Sequence, residues 1–243
     1  MNKEIKLSVL DQSPIKSGLD AYAAVQETVE LANLCDGLGY SRYWLAEHHA
    51  SDALAGCSPE VLLGRIGSET KSIRLGSGGI MLPHYSPYKV AENFKILEAL
   101  YPNRIDLGVG RAPGTDPFTA AAIRYGSQVG PEYFPNMVLD LQALLNDDDP
   151  ITPGLEKARA YPQVRNPPNL WMLGSSEDSS ALAASAGLPY NFAYFINPQI
   201  RDDIFDNYRE NFQPGPNCDS PRSVLTVFTV CADTEEEAIE LSR

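Results

Sequence analysis

Short apolar segments alternate with helical segments along the whole 243-residue chain, and this alternation constrains the fold more than any other feature. Strict alternation with apolar strands predicts a parallel sheet with right-handed crossovers. Seven segments have the length and composition of strands. They lie at 5–10, 42–46, 73–82, 105–109, 170–173, 191–195 and 224–230.

Helical spacing of apolar residues fills most of the intervals between these strands. The predicted helices cover 20–37, a segment opening at Pro59, 86–100, 134–145, 179–186, 199–212 and a last helix capped by 233–237. Seven or eight such units favour an α/β fold of the (β/α)8 TIM-barrel class over an open doubly wound sheet. Because only seven strands are found, we expect one barrel domain over 1–243 that ends before the eighth strand.

Two long intervals, 110–131 and 147–168, lack helical spacing and are predicted to be loops. The first follows the fourth predicted strand and the second precedes the fifth. We expect loops of this length on a barrel to shape the substrate pocket.

Composition excludes several classes of function. The chain has 32 acidic and 19 basic residues, for a net charge of -13, which argues against binding nucleic acid or acidic membranes. No apolar run reaches the roughly 18 residues of a membrane-spanning helix, and the first residues lack the apolar core of a signal peptide. The four cysteines are widely spaced, so we expect no disulfide framework and a cytoplasmic location.

The functional residues of a barrel of this class collect where the strands end. Glu47-His48-His49 follows the second predicted strand. Adjacent side chains on extended backbone point in opposite directions, so we expect one histidine, rather than both, to face a small molecule. A structural pair is one alternative, and a zinc site completed by His84 and Asp106 is another.

The third predicted strand contains three glycines, at positions 76, 78 and 79. Glycine inside a strand weakens a sheet, so these positions need a physical reason. A flat group lying against the backbone is one reason, and an unusual peptide geometry is a second. A bulge or tight packing in the barrel is a third.

Two further strand ends have residues suited to an anion. Arg111 follows the fourth strand in a glycine-rich turn, where it suits a phosphate or carboxylate, or else a surface salt bridge. Gly174-Ser175-Ser176 joins the fifth strand to its helix and predicts an anion site made of backbone amides, or a plain helix cap. No Gly-Lys-Ser/Thr follows the glycines of the turn that contains Arg111, so that turn is not a P-loop.

Five segments, taken together and in order, resemble the luciferase-like flavin monooxygenases, and the alkanal-monooxygenase-like bacterial group in particular. They lie at 7–14, 44–49, 74–87, 103–114 and 171–176, so the resemblance runs the length of the chain. It implies a (β/α)8 barrel that binds reduced FMN at the carboxyl ends of its strands, or a deazaflavin coenzyme as in sister groups.

The resemblance also implies roles for individual residues. Gly78 and Gly79 would lie against the flavin ring, where the family often has a non-proline cis peptide. Arg111, with Gly174, Ser175 and Ser176, would hold the FMN phosphate. His48 would be the active-site acid/base, and Gly110 lies where bacterial luciferase has a reactive cysteine.

The activity that the resemblance implies is monooxygenation of a small organic substrate by reduced FMN and O2, with His48 moving protons. A flavin reductase would supply the reduced FMN, and a homodimer is expected. A deazaflavin-dependent oxidoreductase that transfers hydride is the first alternative. A non-catalytic flavin-binding relative is the second, and a metal hydrolase on the same barrel is the third.

Overall fold

The structure, a computed structural model, describes residues 5–199 and 203–242. Seven strands form one sheet in which every neighbouring pair is parallel and the strand order follows the chain. This order confirms the predicted fold class, because the sheet curves into a nearly closed barrel with helices between the strands. The strands are β1 (Ser8–Asp11), β2 (Arg42–Leu45), β3 (Arg74–Met81), β4 (Ile105–Gly110), β5 (Asn169–Gly174), β6 (Tyr190–Ala193) and β7 (Ser223–Thr226).

Helices connect the strands and cover the sheet. They are α1 (Ala21–Gly37), α2 (Pro59–Glu69), α3 (Pro87–Leu100), α4 (Pro117–Arg124), α5 (Phe134–Leu145), α6 (Glu177–Ser185), α7 (Asp203–Glu210) and α8 (Glu235–Leu241). Within the described parts of the chain, no helix combines the length and the apolar character needed to cross a membrane.

Several element boundaries differ from the prediction. β1 begins at Ser8 rather than at position 5, because Ser8 is the first residue to pair, opposite Arg42. β6 and β7 are shorter than predicted, since their pairing ends at Ala193 opposite Thr226. Of the helix predicted over 199–212, the structure shows Asp203–Glu210, and residues 200–202 lie outside the described residues.

Helix α4 lies within 110–131, which was predicted to be a loop. Asp116 caps this helix by accepting hydrogen bonds from the amides of Phe118 and Thr119, and Pro117 occupies its first turn. Only Ala120 is buried among its eight residues. A helix of eight residues is too short for helical spacing to stand out in the sequence.

The main hydrophobic core lies between the barrel strands and the helices that cover them. Alternate strand residues enter it, such as Tyr43 and Leu45 of β2, and meet Leu63 of α2 and Phe94 of α3. The other strand positions face the interior of the barrel. There the rings of Trp44 and Trp171 meet edge to face with centroids 5.2 Å apart.

The carboxylate of Asp106 lies in the barrel interior near the start of the strands, and its side chain is fully buried. Its Oδ2 accepts from Arg42 Nε at 3.0 Å and from Trp44 Nε1 at 3.1 Å. Its Oδ1 accepts from Arg74 Nε at 2.8 Å and from Asn169 Nδ2 at 3.1 Å. One residue of β4 is thereby bonded to β2, β3 and β5.

Asp106→Asn removes the charge between two guanidinium groups and leaves them without a compensating anion. We expect the free energy of unfolding to fall by about 3 kcal/mol, as for other broken buried pairs. Urea unfolding followed by circular dichroism measures this change. Asp149→Asn, which removes the exposed partner of Arg159, is the matched control and should change it by less than about 1 kcal/mol. Equal effects of the two substitutions would contradict a stabilising role of the Asp106 carboxylate.

Candidate active site at the carboxyl ends of the strands

The carboxyl ends of parallel strands meet at one end of a barrel, and the loops there are bonded to one another. The His49 amide donates to the Gly114 carbonyl at 3.1 Å, which joins the loops after β2 and β4. His84 Nε2 donates to the Pro113 carbonyl at 2.6 Å, which joins the loops after β3 and β4. The fold therefore brings the site residues predicted on these strands and loops to one end of the barrel.

His48 is half-buried, and its Nδ1 atom is buried without a hydrogen-bond partner among the described residues. Burial lowers the pKa of His48, because an imidazolium loses hydration there. The charge of Glu47 opposes that shift, and His49 adds to it. The lowered pKa favours the uncharged imidazole at neutral pH.

His49 has different surroundings from His48, as the alternation of extended backbone predicts. Its Nε2 donates to Oε1 of Glu47 at 2.7 Å, and the hydroxyl of Tyr85 donates to the same oxygen at 2.7 Å. Neither Glu47 nor Tyr85 was predicted from the sequence as a site residue. The available signal was a carboxylate placed directly between a strand end and two histidines.

The alternative zinc site is wrong, because the structure does not bring its ligands together. Asp106 lies near the start of β4 and is held by Arg42 and Arg74. His84 uses Nε2 on the backbone of Pro113. Across the residues that the structure describes, no group of three or more His, Cys, Asp or Glu side chains is arranged to hold a metal ion.

The structure shows two of the three features that were predicted to explain the glycines of β3, an unusual peptide geometry and a bulge with tight packing. The peptide bond between Gly78 and Gly79 is cis, and the register with β4 shifts between Gly78 and Ile80. A methyl group on Gly78 would lie 2.5 Å from Leu10 Cδ1, and one on Gly79 would lie 2.7 Å from the Gly108 carbonyl oxygen. Gly78 is partly accessible and Gly79 is buried.

Arg111 and the start of α6 lie next to each other, as a site for one anion requires. The guanidinium of Arg111 is exposed and its Nη1 is 3.9 Å from Oδ2 of Asp178, in the first turn of α6. Ser176 is the N-cap of α6 and its hydroxyl accepts from the Ser179 amide at 3.4 Å. The structure therefore shows the helix cap that was one of the two predictions for Ser176.

A cleft of about 390 Å³ opens over the start of α6. The Asn197 amide closes one part of it by donating to the Ser175 carbonyl at 3.1 Å. Two acids in the first turn of α6 counter the positive end of the helix dipole. Arg111 supplies a positive charge beside them. The lining residues are Ser175, Ser176, Glu177, Asp178, Asn197, Gln199 and Ile204.

The chain belongs to the luciferase-like monooxygenase family, whose sequence pattern it matches over residues 5–243. It is 47% identical over 237 residues to the uncharacterized protein YwcH of Bacillus subtilis, covering 98% of this chain and 71% of that protein. It is 42% identical over 238 residues to the N-acetyl-S-alkylcysteine monooxygenase of the same organism, covering 96% and 70%.

Solved structures agree with this assignment. The crystal structure of apo-MsnO8 is 45% identical, with a TM-score of 0.87, and the match covers 97% of this chain and 69% of that one. The oxygenating constituent of 3,6-diketocamphane monooxygenase from a Pseudomonas putida plasmid, solved with FMN, shares the fold at 18% identity and a TM-score of 0.72, covering 96% and 69%. An F420-dependent secondary alcohol dehydrogenase shares it at 16% identity and a TM-score of 0.68, covering 92% and 68%.

Gly79→Ala tests the close approach of β3 and β4. The added methyl group meets backbone atoms, which cannot move aside, so we expect the free energy of unfolding to fall by about 2 kcal/mol. Gly110→Ala is the matched control, since its methyl group would only reach Met81 Cε at 4.0 Å. Thermal or urea unfolding compares the two. A tolerated Gly79→Ala would show that β3 can separate from β4.

Proposed function

We propose that this protein is a flavin-dependent monooxygenase that uses reduced FMN and O2 to oxidise a small organic substrate. The observation that carries the proposal is the position of Arg111 beside the first turn of α6, at the end of the barrel where His48 also lies. Membership of the luciferase-like monooxygenase family supports the reaction class.

The start of α6 fits the phosphate of FMN. Amides in the first turn of a helix donate to an anion, and a guanidinium adds a second, charge-assisted contact. In our proposal Arg111 releases Asp178 and binds the phosphate, while Gly174, Ser175 and Ser176 offer backbone and hydroxyl donors. Arg111 is exposed and its present ion pair is long, so little stabilising energy opposes the exchange.

The backbone of β3 and β4 fits a flat ring. Gly78 is partly accessible at the mouth of the barrel, and it has no side chain to hold a ring away from the backbone. A methyl group on Gly110 would meet only Met81 Cε, at 4.0 Å, so the end of β4 also leaves space. The proposal places the flavin ring over Gly78 and Gly79.

Reduced FMN, when bound, supplies the electrons that activate O2, and the protein supplies orientation, exclusion of water and proton transfer. His48 accepts or returns a proton at its imidazole ring, which makes no hydrogen bond through Nδ1 to any described residue. Its lowered pKa keeps the ring uncharged and able to accept that proton at neutral pH. The bonds of the His48 amide to Gly56 and of the His49 amide to Gly114 hold the segment that carries it.

The proposal also names a substrate class, a partner and a location for this protein. The N-acetyl-S-alkylcysteine monooxygenase at 42% identity makes thioethers of this type the first substrates to test. A separate flavin reductase would supply reduced FMN, and the protein would act as a cytoplasmic homodimer. The reductase and the homodimer come from the family resemblance, and the cytoplasmic location comes from the widely spaced cysteines.

An anaerobic titration with reduced FMN, followed by fluorescence or absorbance, tests the proposal. We expect saturable binding that Arg111→Ala weakens about tenfold or more, because a charge-assisted contact to phosphate is lost. Arg165→Ala is the matched control, since this exposed arginine precedes β5 and lies toward the other end of the strands.

Three results would contradict the FMN proposal in different ways, two from anaerobic titrations and one from a turnover assay in air. No binding of reduced FMN together with binding of a reduced deazaflavin would support the hydride-transferring alternative. Binding of FMN without oxygen-dependent product from any thioether or related substrate would support the non-catalytic alternative. If Arg111→Ala and Arg165→Ala weaken the binding of reduced FMN equally, Arg111 does not bind the phosphate.

Asp178→Asn tests the electrostatics of the same site in the opposite direction. Removing a negative charge from the first turn of α6 frees Arg111 and lowers the repulsion of a phosphate. We expect reduced FMN to bind about two- to fivefold more tightly, as for one charge at a helix end. The same anaerobic titration measures it at low salt. Weaker binding would show that Asp178 itself contacts the cofactor.

A further inference from the structure

The carboxylate of Glu47 is 1% exposed and lies two residues beyond β2. Its Oε1 accepts from His49 Nε2 and from the Tyr85 hydroxyl, each at 2.7 Å. Its Oε2 accepts from the Met81 amide at 3.0 Å. A buried carboxylate destabilises the fold unless hydrogen-bond donors replace its hydration. All three contacts are therefore needed to keep the Glu47 carboxylate buried.

The contacts of Glu47 join the ends of two strands. Met81 is the last residue of β3, and Tyr85 follows the short 3-10 helix Leu82–His84. Glu47 is thereby fixed to the chain that leaves β3, while its own backbone continues from β2.

The segment that contains His48 is held on both sides. Glu47 precedes it, and His49 follows it with its amide bonded to Gly114 and its ring bonded to Glu47. The His48 amide itself donates to the Gly56 carbonyl at 3.0 Å. The His48 ring is then the part of the segment left free to act on a ligand.

We propose that Glu47 is the positioning residue of the site: its carboxylate fixes the 47–49 segment to the end of β3 and places a negative charge next to His48. The proposal rests on the proposed function, in which His48 moves protons. It assigns Glu47 no contact with substrate or cofactor. Its effect is on the orientation of His48 and on the proton affinity of that ring.

The charges around His48 make this effect measurable. Burial lowers the pKa of His48, the Glu47 carboxylate raises it, and His49 lowers it. Burial and Glu47 raise the pKa of Tyr85, so its hydroxyl remains a neutral donor to the carboxylate. Cys57 and Glu60 are the other titratable groups near Tyr85.

Nuclear magnetic resonance of ring-labelled histidine tests the proposal directly, because the chain has only three histidines. In Glu47→Gln the shape of the side chain is kept and its charge is lost. We expect the pKa of His48 to fall below the wild-type value, since only the raising influence is removed. A merely structural Glu47 would give the opposite sign, because a loosened segment hydrates His48 and raises its pKa. An unchanged or raised pKa would overturn the proposal.

Glu60→Gln is the matched control, as it removes a neighbouring carboxylate that is not among the charges acting on His48. It should leave the pKa of His48 unchanged. An equal fall in both variants would show a general effect of net charge and overturn the specific role of Glu47.

A measurement on the unmodified chain covers the case in which Glu47→Gln does not fold. The nitrogen shifts of His49 report whether Nε2 carries a proton near neutral pH. We expect it to be protonated, because it donates to the Glu47 carboxylate. An unprotonated Nε2 would mean that Glu47 is itself the neutral donor, and the proposal would fail.

These measurements need no flavin, so they separate the two proposals. Failure of reduced FMN to bind, with the expected fall in the His48 pKa, would overturn the proposed function and leave the assignment of Glu47 intact. With an active protein, Glu47→Gln should lower kcat by less than the roughly hundredfold expected for loss of His48 and leave the KM for flavin unchanged. It should also displace the acidic limb of the pH profile to lower pH.

Discussion

The carboxylate of Asp106 connects four neighbouring strands from inside the barrel, and the rest of the structure depends on these bonds. It accepts hydrogen bonds from Arg42 and Trp44 of β2, from Arg74 of β3 and from Asn169 of β5. Parallel strands have no tight hairpins to set their register. A buried charge with directional partners near the strand starts sets it instead, and thereby sets where the strands end.

One face of each strand packs against the helices and stabilises the fold, and the other face lines the interior of the barrel. Positions such as Tyr43 and Leu107 enter the core between sheet and helices. The interior positions change along the barrel, from charged groups and tryptophans near the strand starts to Gly78 and Gly110 near the strand ends. These glycines lie at the end of the strands where the site lies.

Much of the fold was predictable because its signals are local. The buried strands are apolar runs between turn residues, and the site positions follow from where those runs end. Helix α4 was missed because its eight residues are too few to establish helical spacing. The contact of Glu47 with Tyr85 spans 38 residues and depends on the curvature of the sheet, so no local pattern reveals it. The pairing of Arg111 with Asp178 joins the loop after β4 to the first turn of α6 and was missed for the same reason.

A comparison of reduced FMN with reduced riboflavin tests whether the strand ends bind a flavin through its phosphate. The two ligands share the ring and differ in the phosphate alone. Anaerobic titration of the same preparation with each should give at least about tenfold tighter binding of FMN, the contribution of a charged phosphate contact. Equal affinities would contradict the phosphate site at Arg111 and α6, and the proposed cofactor with it.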